Sequence, residues 1–380
     1  MQILFVGAGH SHLMALSVLY RHFKGRWPAG LSLTVVSPSS WQYYSGRLPG
    51  WVAGHHTLDE CRIDAERYLV SLGVRFIENT VVDLALEQKQ AVLKNGRRLS
   101  FDYVCLDIGS DAPTDAFSQF QGLLFKVKAM QAFQDDLTRL LILAQQKSPL
   151  NVGVVGAGAG GVELASAVAY RLQQQGRPAY VKLFTGERGL LPGYSEAQKA
   201  AAEQGLQAVG VTCVAERVTA DATGVKLNQG HQPLDALLLA NGQKAWPWLQ
   251  NTGLRLSEDG FVLVDSTHRS LSHPFVFACG DTCKRLNDAF GGARVVPSGV
   301  HAVFSGKVLG RNLAALIGAK PEKRDDLLLK PYIPKQKNLY LLSLGKPTAL
   351  LAWGRITTTG EWVWKLKDWI DSRFFRKFSG

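Results

Sequence analysis

The pattern of apolar and polar positions contains one unit twice, in which an apolar strand runs directly into a glycine turn and a helix rich in small residues. We expect this strand and helix at residues 3–6 and 13–23 in the first copy, and at 152–155 and 162–174 in the second. Short continuous apolar runs are typical of the buried strands of a parallel sheet. The sequence therefore predicts two βαβ units of the dinucleotide-binding type.

The repeat extends beyond the first turn of each unit. A second strand is expected at 31–36 in the first copy and at 180–184 in the second. Later strands, at 102–108 and 236–240, both run into a glycine. Two complete Rossmann-like domains, each with its own dinucleotide site, are therefore predicted.

A further apolar run after the second unit ends in a glycine and a carboxylate, Gly280 and Asp281. We place this strand back in the first domain. The predicted fold is α/β, with a first domain at 1–110 and 266–320 interrupted by a second domain at 111–265. Residues 321–380 are predicted to form a C-terminal segment with a hairpin and an amphipathic helix.

Length and composition limit the class of protein. The chain has 380 residues, of which 46% are hydrophobic, enough for two or three buried cores. It contains no uncharged apolar run of about 18 residues, the length a membrane-spanning helix needs. Its first residues already form a predicted strand, which leaves no room for a secretory signal. We therefore expect a cytoplasmic protein.

The net charge of +12 has two interpretations, an anionic partner or a solvated basic surface. Nucleotide phosphates and an acidic membrane surface are suitable partners. Nucleic acid is not expected, because no aromatic RNA-binding motif accompanies the charge. No zinc-ligand spacing occurs, so no metal is predicted. The five cysteines are scattered and odd in number, which does not indicate a disulfide framework.

The second turn fits the dinucleotide fingerprint fully through Gly156, Gly158 and Gly161, with Gly160 between the last two. Glycines at these positions permit the tight turn, the approach of the pyrophosphate to the backbone, and close packing of the helix on the strand. The first turn keeps two of the three glycines. They are Gly7 and Gly9, and the candidate binding residues that follow them are His10, Ser11 and His12.

His12 stands where the third glycine of the fingerprint is expected. This departure predicts either looser packing of the helix on the strand or a polar group turned toward the site. Simple helix capping and surface hydrogen bonding are the alternative for both His10 and His12.

Neither unit ends its second strand with the acidic residue that usually binds ribose hydroxyls. The first ends in Ser37 and Pro38, and the second in a Thr-Gly pair followed by Glu187 and Arg188. Either a carboxylate could bind the ribose hydroxyls or an arginine could bind a 2′-phosphate. The choice between NADH and NADPH is therefore open as well.

Asp281 is the strongest single carboxylate candidate. An aspartate at a strand end beside a glycine can accept hydrogen bonds from the ribityl chain of a flavin. The alternative is an N-cap for the segment that follows.

Five elements occur in the order that is typical of one superfamily. They are Gly7-Ala8-Gly9, Ile108-Gly109-Ser110, 156–163, Asn241-Gly242 and 277–281. Over nearly its whole length, the chain resembles the pyridine nucleotide-disulfide oxidoreductase superfamily. Segments 44–50, 106–110, 299–303 and 362–371 are similar to its type II NADH dehydrogenase branch, and most closely to flavoproteins found beside or fused to selenide, water dikinase. That group tolerates a histidine-containing first turn.

The resemblance implies FAD in the first domain and NADH or NADPH, as substrate, in the second. It places Glu163 near the nicotinamide, although a first-turn carboxylate favoured by the helix dipole is the alternative. Segment 44–50 is expected to line the flavin, with Arg47 stabilising negative charge on it, unless Arg47 is only a surface arginine. Three further glycines complete the expected cofactor-binding set: Gly109, Gly242 and Gly280.

Two departures from the superfamily pattern affect the expected electron acceptor. Residues 41–54 contain no cysteine, so a dithiol relay is not expected, and Cys279 and Cys283 are interpreted as a buried small residue and a loop thiol. The glutamine that type II dehydrogenases carry in their quinone segment is absent from 297–302. His301 in that segment could donate to a carbonyl oxygen or be a structural histidine.

Residues 361–378 combine apolar positions at helical spacing with basic residues. An aromatic and basic amphipathic helix suits a membrane surface, which would make the protein peripheral on the inner face of the cell membrane. Packing on the protein itself or on a homodimer partner is the alternative.

Three functions are compatible with these features. The first is an FAD-dependent NAD(P)H oxidoreductase that passes hydride from NAD(P)H to FAD and then electrons to a quinone or another small acceptor. The second is a flavoprotein reductase in selenium or sulfur metabolism. The third is a flavin-bound, nucleotide-sensing interaction protein.

Overall fold

A computed structural model describes residues 1–126, 130–285, 299–324, 326–335 and 338–378. The first part of the chain alternates strands and helices before a small antiparallel sheet. Its elements are β1 (Gln2–Val6), α1 (His10–His22), β2 (Ser32–Ser37), β3 (Trp41–Tyr43), α2 (Leu48–Ala53), β4 (Arg62–Asp64), α3 (Ala65–Ser71), β5 (Arg75–Glu78), β6 (Val81–Ala85), β7 (Gln90–Leu93), β8 (Arg98–Ser100) and β9 (Tyr103–Leu106).

The middle of the chain repeats this alternation. Its elements are β10 (Leu123–Lys126), α4 (Met130–Gln146), β11 (Leu150–Val155), α5 (Ala159–Gln174), β12 (Ala179–Phe184), α6 (Glu196–Gln207), β13 (Val211–Val214), β14 (Thr219–Ala220), β15 (Gly224–Leu227), β16 (Gly230–Pro233) and β17 (Ala236–Leu239). The last part contains β18 (Val262–Val264), β19 (Val276–Ala278), β20 (Cys283–Arg285), α7 (Gly299–Gly318), β21 (Leu339–Leu344), β22 (Lys346–Trp353), β23 (Ile356–Gly360) and α8 (Glu361–Phe375).

Two parallel sheets organise the molecule. The first has the strand order β19-β9-β1-β2-β5 and the second the order β10-β17-β11-β12-β13. In both sheets the strand before the glycine turn is central, so each turn lies at the carboxyl edge where such folds bind dinucleotides. The predicted α/β class with two Rossmann-like domains is confirmed. The predicted domain boundaries stay a prediction, although β19 does pair with β9 in the first sheet.

Both helices begin earlier than the sequence pattern predicted. α1 starts at His10 instead of residue 13, and α5 at Ala159 instead of residue 162. The cause is the same in both units, because the second glycine of each turn, Gly9 or Gly158, is the extended N-cap residue. The first helical turn therefore consists of the fingerprint residues themselves, and their amides point at the site.

α7 packs against α1 at very short range. A Cβ atom at Gly306 would lie 2.3 Å from the backbone oxygen of Ser11, and one at Gly310 would lie 2.6 Å from that of Ala15. These two glycines of α7 therefore hold its beginning beside the first glycine turn.

The C-terminal segment connects the two domains. The predicted hairpin is a three-stranded antiparallel sheet, β21-β22-β23, and its Leu342 and Leu350 belong to the core of the second domain. Phe374, near the end of α8, and Phe378, just after it, belong to the core of the first. Within the described ranges, no helix has both the length and the apolar character needed to cross a bilayer.

Candidate active site

The two glycine turns approach the neighbouring strand in the same way. A Cβ atom at Gly7 would lie 2.2 Å from the backbone oxygen of Asp107, and one at Gly156 would lie 2.5 Å from that of Ala240. Both glycines also have positive φ, at +92° and +150°. Only glycine suits this geometry, so the repeat predicted from the sequence is present in three dimensions and equates Asp107 with Ala240.

The second turn is open toward a cavity of about 1220 Å³. A Cβ atom at Gly158 or Gly160 would meet nothing within 4 Å, and α5 has no side-chain cap at its N-terminus. Gly161 differs, because its Cβ would lie 2.0 Å from the backbone oxygen of Gly156, so this glycine serves helix packing. An uncapped helix N-terminus behind open glycines fits the pyrophosphate of a dinucleotide.

Two residues that the sequence analysis missed line this cavity near the end of β12. Glu216 and Arg217 follow β13 and line the cavity beside Thr185 and Gly186. The sequence analysis considered Glu187 and Arg188 for the contact with the ribose or the 2′-phosphate, and both are exposed. The sheet order could have indicated the later pair, because β13 lies next to β12 and its end reaches the same edge.

The first domain supplies the opposite wall of the same cavity through Gly280, Cys283 and His301, and the C-terminal segment adds Tyr332. His301 is buried near the start of α7, where its Nδ1 shares a hydrogen bond of 2.5 Å with the Tyr332 hydroxyl. Burial lowers the pKa of His301, so the ring is neutral at pH 7. The cavity therefore connects the second glycine turn with the turn after β19.

Asp281 lies in the short 3-10 turn Gly280–Thr282, directly after β19. The turn is tied to the end of β9, because the Ile108 amide donates to the Thr282 hydroxyl at 2.9 Å. This places Asp281 at the carboxyl edge of the first sheet, close to Asp107. Its role toward a flavin stays a prediction.

At the first turn, His12 fills the space that a glycine leaves elsewhere. Its ring is fully buried, lies edge-on to Phe5 at 5.1 Å, and its Nδ1–H donates to the Gly7 carbonyl at 2.7 Å. Burial lowers the pKa of His12 to about 4. The ring is therefore a neutral packing group between helix and strand, and this contact keeps the helix close to the turn.

The other predicted residues of the first site lie around this turn. His10 places its Nδ1 3.4 Å from the Gln42 amide nitrogen, and its ring lies 5.5 Å from Tyr44. Ser37 is buried at the end of β2, whereas Pro38 is exposed. The buried Nε2 atoms of His10 and His12 have no hydrogen-bond partner among the described residues. A glycine turn at a sheet edge with unpaired buried polar atoms fits a bound dinucleotide.

Two glycines directly beyond the strand ends have similar geometry. Gly109 and Gly242 have φ values of +66° and +79°, and a Cβ atom at either would meet nothing within 4 Å. Gly242 also lines the cavity. The left-handed backbone explains the glycine at both positions.

Glu163 is partly buried at the junction of both domains and the C-terminal segment. Its Oε1 accepts a hydrogen bond of 2.9 Å from the Ser343 amide of β21. Burial raises the pKa of Glu163 to about 7, although the nearby Lys367 ammonium opposes the rise. The carboxyl group can therefore hold or release a proton at neutral pH.

Arg47 is buried and turned toward α8. Its guanidinium donates to Asp368 Oδ1 at 2.9 Å and to the Glu60 carbonyl at 3.0 Å. Arg47 is therefore not a surface arginine. Its contact with Asp368 holds α8 on the first domain. A contact of Arg47 with a flavin stays a prediction.

A buried ion pair beside these residues was missed by the sequence analysis. Lys367 Nζ donates to Asp371 Oδ2 at 2.8 Å and also to the Gly46 carbonyl. The i, i+4 spacing of Lys367 and Asp371 is a signal for such a pair, but it does not indicate that the pair is buried.

The cysteines beside the cavity are not activated. Cys279 and Cys283 are free thiols, and Cys283 Sγ donates to the Ala278 carbonyl at 3.2 Å. Burial raises the pKa of both thiols. A protonated buried thiol is a poor nucleophile, which argues against a role in thiol exchange.

Residues 123–306 match the family model described as pyridine nucleotide-disulphide oxidoreductase. The "Alternative NAD(P)H-ubiquinone oxidoreductase C1" of Arabidopsis thaliana is 23% identical over 76% of this chain and 60% of its own length. The "Type II NADH:quinone oxidoreductase" of Haemophilus influenzae is 25% identical over 65% of this chain and 63% of its own. The chain thus spans about three fifths of the length of these relatives.

Solved structures show the same fold. The NDH2 of Plasmodium falciparum in complex with NADH aligns with a TM-score of 0.79 at 14% identity, covering 99% of this chain and 97% of its own. The sulfide:quinone oxidoreductase of Aquifex aeolicus also aligns with a TM-score of 0.79 at 14% identity, covering 99% and 91%. Residues 123–306 thus match the model of this family, and the resemblance of the chain to the superfamily is confirmed.

Proposed function

We propose that this protein is an FAD-dependent oxidoreductase that takes hydride from NADH or NADPH and passes electrons to a quinone. The observation that carries the proposal is the cavity into which the second glycine turn and the turn after β19 both open. A nicotinamide dinucleotide bound at Gly158 can extend through this cavity toward the first domain. FAD, when bound in the first domain, supplies the hydride and electron-transfer chemistry.

The residues of the chain then have separate tasks. The open N-terminus of α5 binds the pyrophosphate of NAD(P)H, and Glu216 and Arg217 contact its ribose end. Glu163 holds a proton near neutral pH at the junction of the domains. α8 closes this junction from outside through Lys367 and Asp371, and so excludes water from it.

The names of the relatives support a quinone as acceptor. Those from Arabidopsis and Haemophilus name a quinone, and a further relative, 24% identical over 62% of this chain and 60% of its own length, is the "Demethylphylloquinone reductase NdbB" of a Synechocystis strain. His301 lies in the wall of the cavity, where a neutral ring can donate to a carbonyl oxygen. The link to selenium metabolism rests on the sequence resemblance alone.

A membrane surface is the proposed location, because quinones partition into lipid. α8 directs Trp362 and Trp369 outward, with exposed fractions of 55% and 51%. Trp353 and Ile356, at the turn between β22 and β23, are exposed as well. Indole rings with lysine and arginine between them are typical of helices that lie in the headgroup region. A homodimer that covers this surface is the competing arrangement.

The test is an anaerobic titration of the purified protein. A bound flavin spectrum is expected, with bleaching by NADH or NADPH and rapid recovery on addition of a short-chain quinone. Recovery with persulfide or selenium species, and not with quinone, would favour the reductase alternative. Absence of bound flavin would overturn the proposal.

A further inference from the structure

The N-terminus of α1 already holds an anion that belongs to the chain itself. The buried side chain of Asp107 accepts hydrogen bonds at its Oδ2 from the amides of Ser11 and His12, at 2.9 and 3.2 Å. A Cβ atom at Gly9 would lie 2.3 Å from this Oδ2, and one at Gly280 would lie 2.6 Å from Oδ1. The carboxylate thus occupies amides that a dinucleotide-binding helix otherwise offers to phosphate.

The second copy of the unit has no such group. β9 pairs with β1 so that Leu106 lies beside Val6, and β17 pairs with β11 so that Leu239 lies beside Val155. Asp107 and Ala240 are the next residues in each case. The two turns therefore match closely in backbone, but only the first has a carboxylate at its helix N-terminus.

Among the residues that the structure describes, the titratable groups that face Asp107 include no cation. The groups that face it are the Asp281 carboxylate after β19, the thiols of Cys279 and Cys283, and the neutral ring of His12 on α1. No lysine or arginine forms a salt bridge with Asp107 within the described ranges. Burial raises the pKa of Asp107 to about 7, with the Asp281 carboxylate adding to the rise and the amides of His12 and Ser11 opposing it.

We propose that a dinucleotide binds at the first glycine turn together with one proton, which the carboxyl group of Asp107 takes up from solvent. The inference rests on the proposed function, in which FAD is that dinucleotide. Its pyrophosphate brings two negative charges to a buried carboxylate, and repulsion in such a site is strong. Protonation removes the charge of Asp107 and converts one of its oxygens into a hydrogen-bond donor.

The proposal predicts how affinity depends on pH. FAD should bind less tightly as pH rises, because Asp107 loses its proton in the free protein. Above about pH 7 the dissociation constant should rise by up to about ten-fold per pH unit. The second site, with Ala240, should show no such dependence from this source.

The experiment measures FAD binding to flavin-free protein by flavin fluorescence between pH 6 and 9. The wild type is compared with D107N, which is neutral and keeps an acceptor for the two amides. D107N should bind FAD with a constant affinity across this range. A240D is the reciprocal variant and should make NAD(P)H binding weaken with rising pH. Calorimetry at pH 8 in two buffers of different ionisation heat should show uptake of close to one proton by the wild type.

The outcomes separate the two proposals. If the wild type binds FAD with the same pH profile as D107N, or without proton uptake, the role of Asp107 is refuted and the proposed function stands. If neither protein binds FAD at any pH, the proposed function falls as well. If D107N does not fold, the proton uptake of the wild type decides alone.

Discussion

The hydroxyl of Tyr44 donates to Asp371 at 2.9 Å, across 327 positions of the chain, and ties the first domain to the last helix. Asp371 also binds Lys367, whose ammonium lies close to Glu163 of the second domain. α8 is therefore part of the buried structure at the junction of both domains. Its inward face is polar at this point, and its outward face carries the exposed tryptophans.

Loss of the buried ammonium should destabilise the protein. K367M leaves the carboxylates of Asp371 and Glu163 without their cation, and we expect the free energy of unfolding to fall by about 3 kcal/mol in urea titrations. The control is K365M on the same helix, because Lys365 forms an exposed pair with Glu361. K365M should unfold like the wild type. Equal stability of K367M and K365M would show that the buried pair does not hold α8.

The two glycines of the second turn should respond differently to alanine. Gly158 has an extended backbone and free space for a Cβ atom, so G158A should fold normally. G161A should be destabilised, because its Cβ would clash with the Gly156 carbonyl oxygen. The added methyl group at 158 takes the space of the pyrophosphate. We expect the NAD(P)H dissociation constant of G158A to rise by at least about ten-fold.

Titration of the flavin absorbance with NAD(P)H measures this affinity, and thermal unfolding measures stability. G318A is the matched control, because a Cβ atom at Gly318 also meets nothing within 4 Å and this glycine is the last residue of α7. An unchanged affinity in G158A would place the dinucleotide elsewhere in the cavity.

Glu163 should make stability depend on pH. Burial raises its pKa from 4.5 to about 7, so between these values only the folded protein keeps the proton. The free energy of unfolding contributed by this group is therefore full below about pH 4.5 and falls as pH rises toward 7. E163Q keeps an acceptor for the Ser343 amide and should show a smaller decline than the wild type.

Urea titrations from pH 4.5 to 8 measure the difference between the two proteins. E203Q, at an exposed position of α6, serves as the control and should follow the wild type. Parallel curves for E163Q and wild type would show that folding does not raise the pKa of Glu163.

The glycine turns and the two domains could be predicted because their signals are local. A strand, a glycine turn and a helix lie within about twenty residues, and positive φ or close backbone approach restricts the turn to glycine. The role of His12 was less accessible, because its buried hydrogen bond to Gly7 depends on packing against Phe5.

The missed residues depend on contacts between distant segments. Asp107 binds amides 95 and 96 positions away, and Lys367 binds a carbonyl 321 positions away. Charged side chains are usually exposed to solvent, and only the folded chain shows that both of these are buried. An alignment of the two copies would have singled out Asp107, because Ala240 stands at the same position of the repeat.

The helical pattern of the C-terminal tail did not decide which face of α8 lies against the protein. Its apolar positions at helical spacing are Trp362, Leu366, Trp369, Ile370, Phe374 and Phe378, whereas the buried positions of α8 are Val363, Lys367, Asp371 and Phe374. Because Lys367 and Asp371 are buried, the side of the helix that faces the protein differs from the side that carries Trp362 and Trp369. The tryptophans consequently point away from the protein.

These outward tryptophans should bind lipid. W362A/W369A removes two indole rings that together expose a large apolar area beside basic residues, and we expect binding to anionic phospholipid vesicles to fall by at least about ten-fold in flotation assays. Y180A is the control, because Tyr180 is exposed to 63% on the second domain, away from α8. Light scattering without vesicles tests the competing arrangement. If the wild type is a dimer that the double variant dissociates, and vesicle binding is unchanged, the surface is a protein interface, because only a dimer contact would then depend on the two rings.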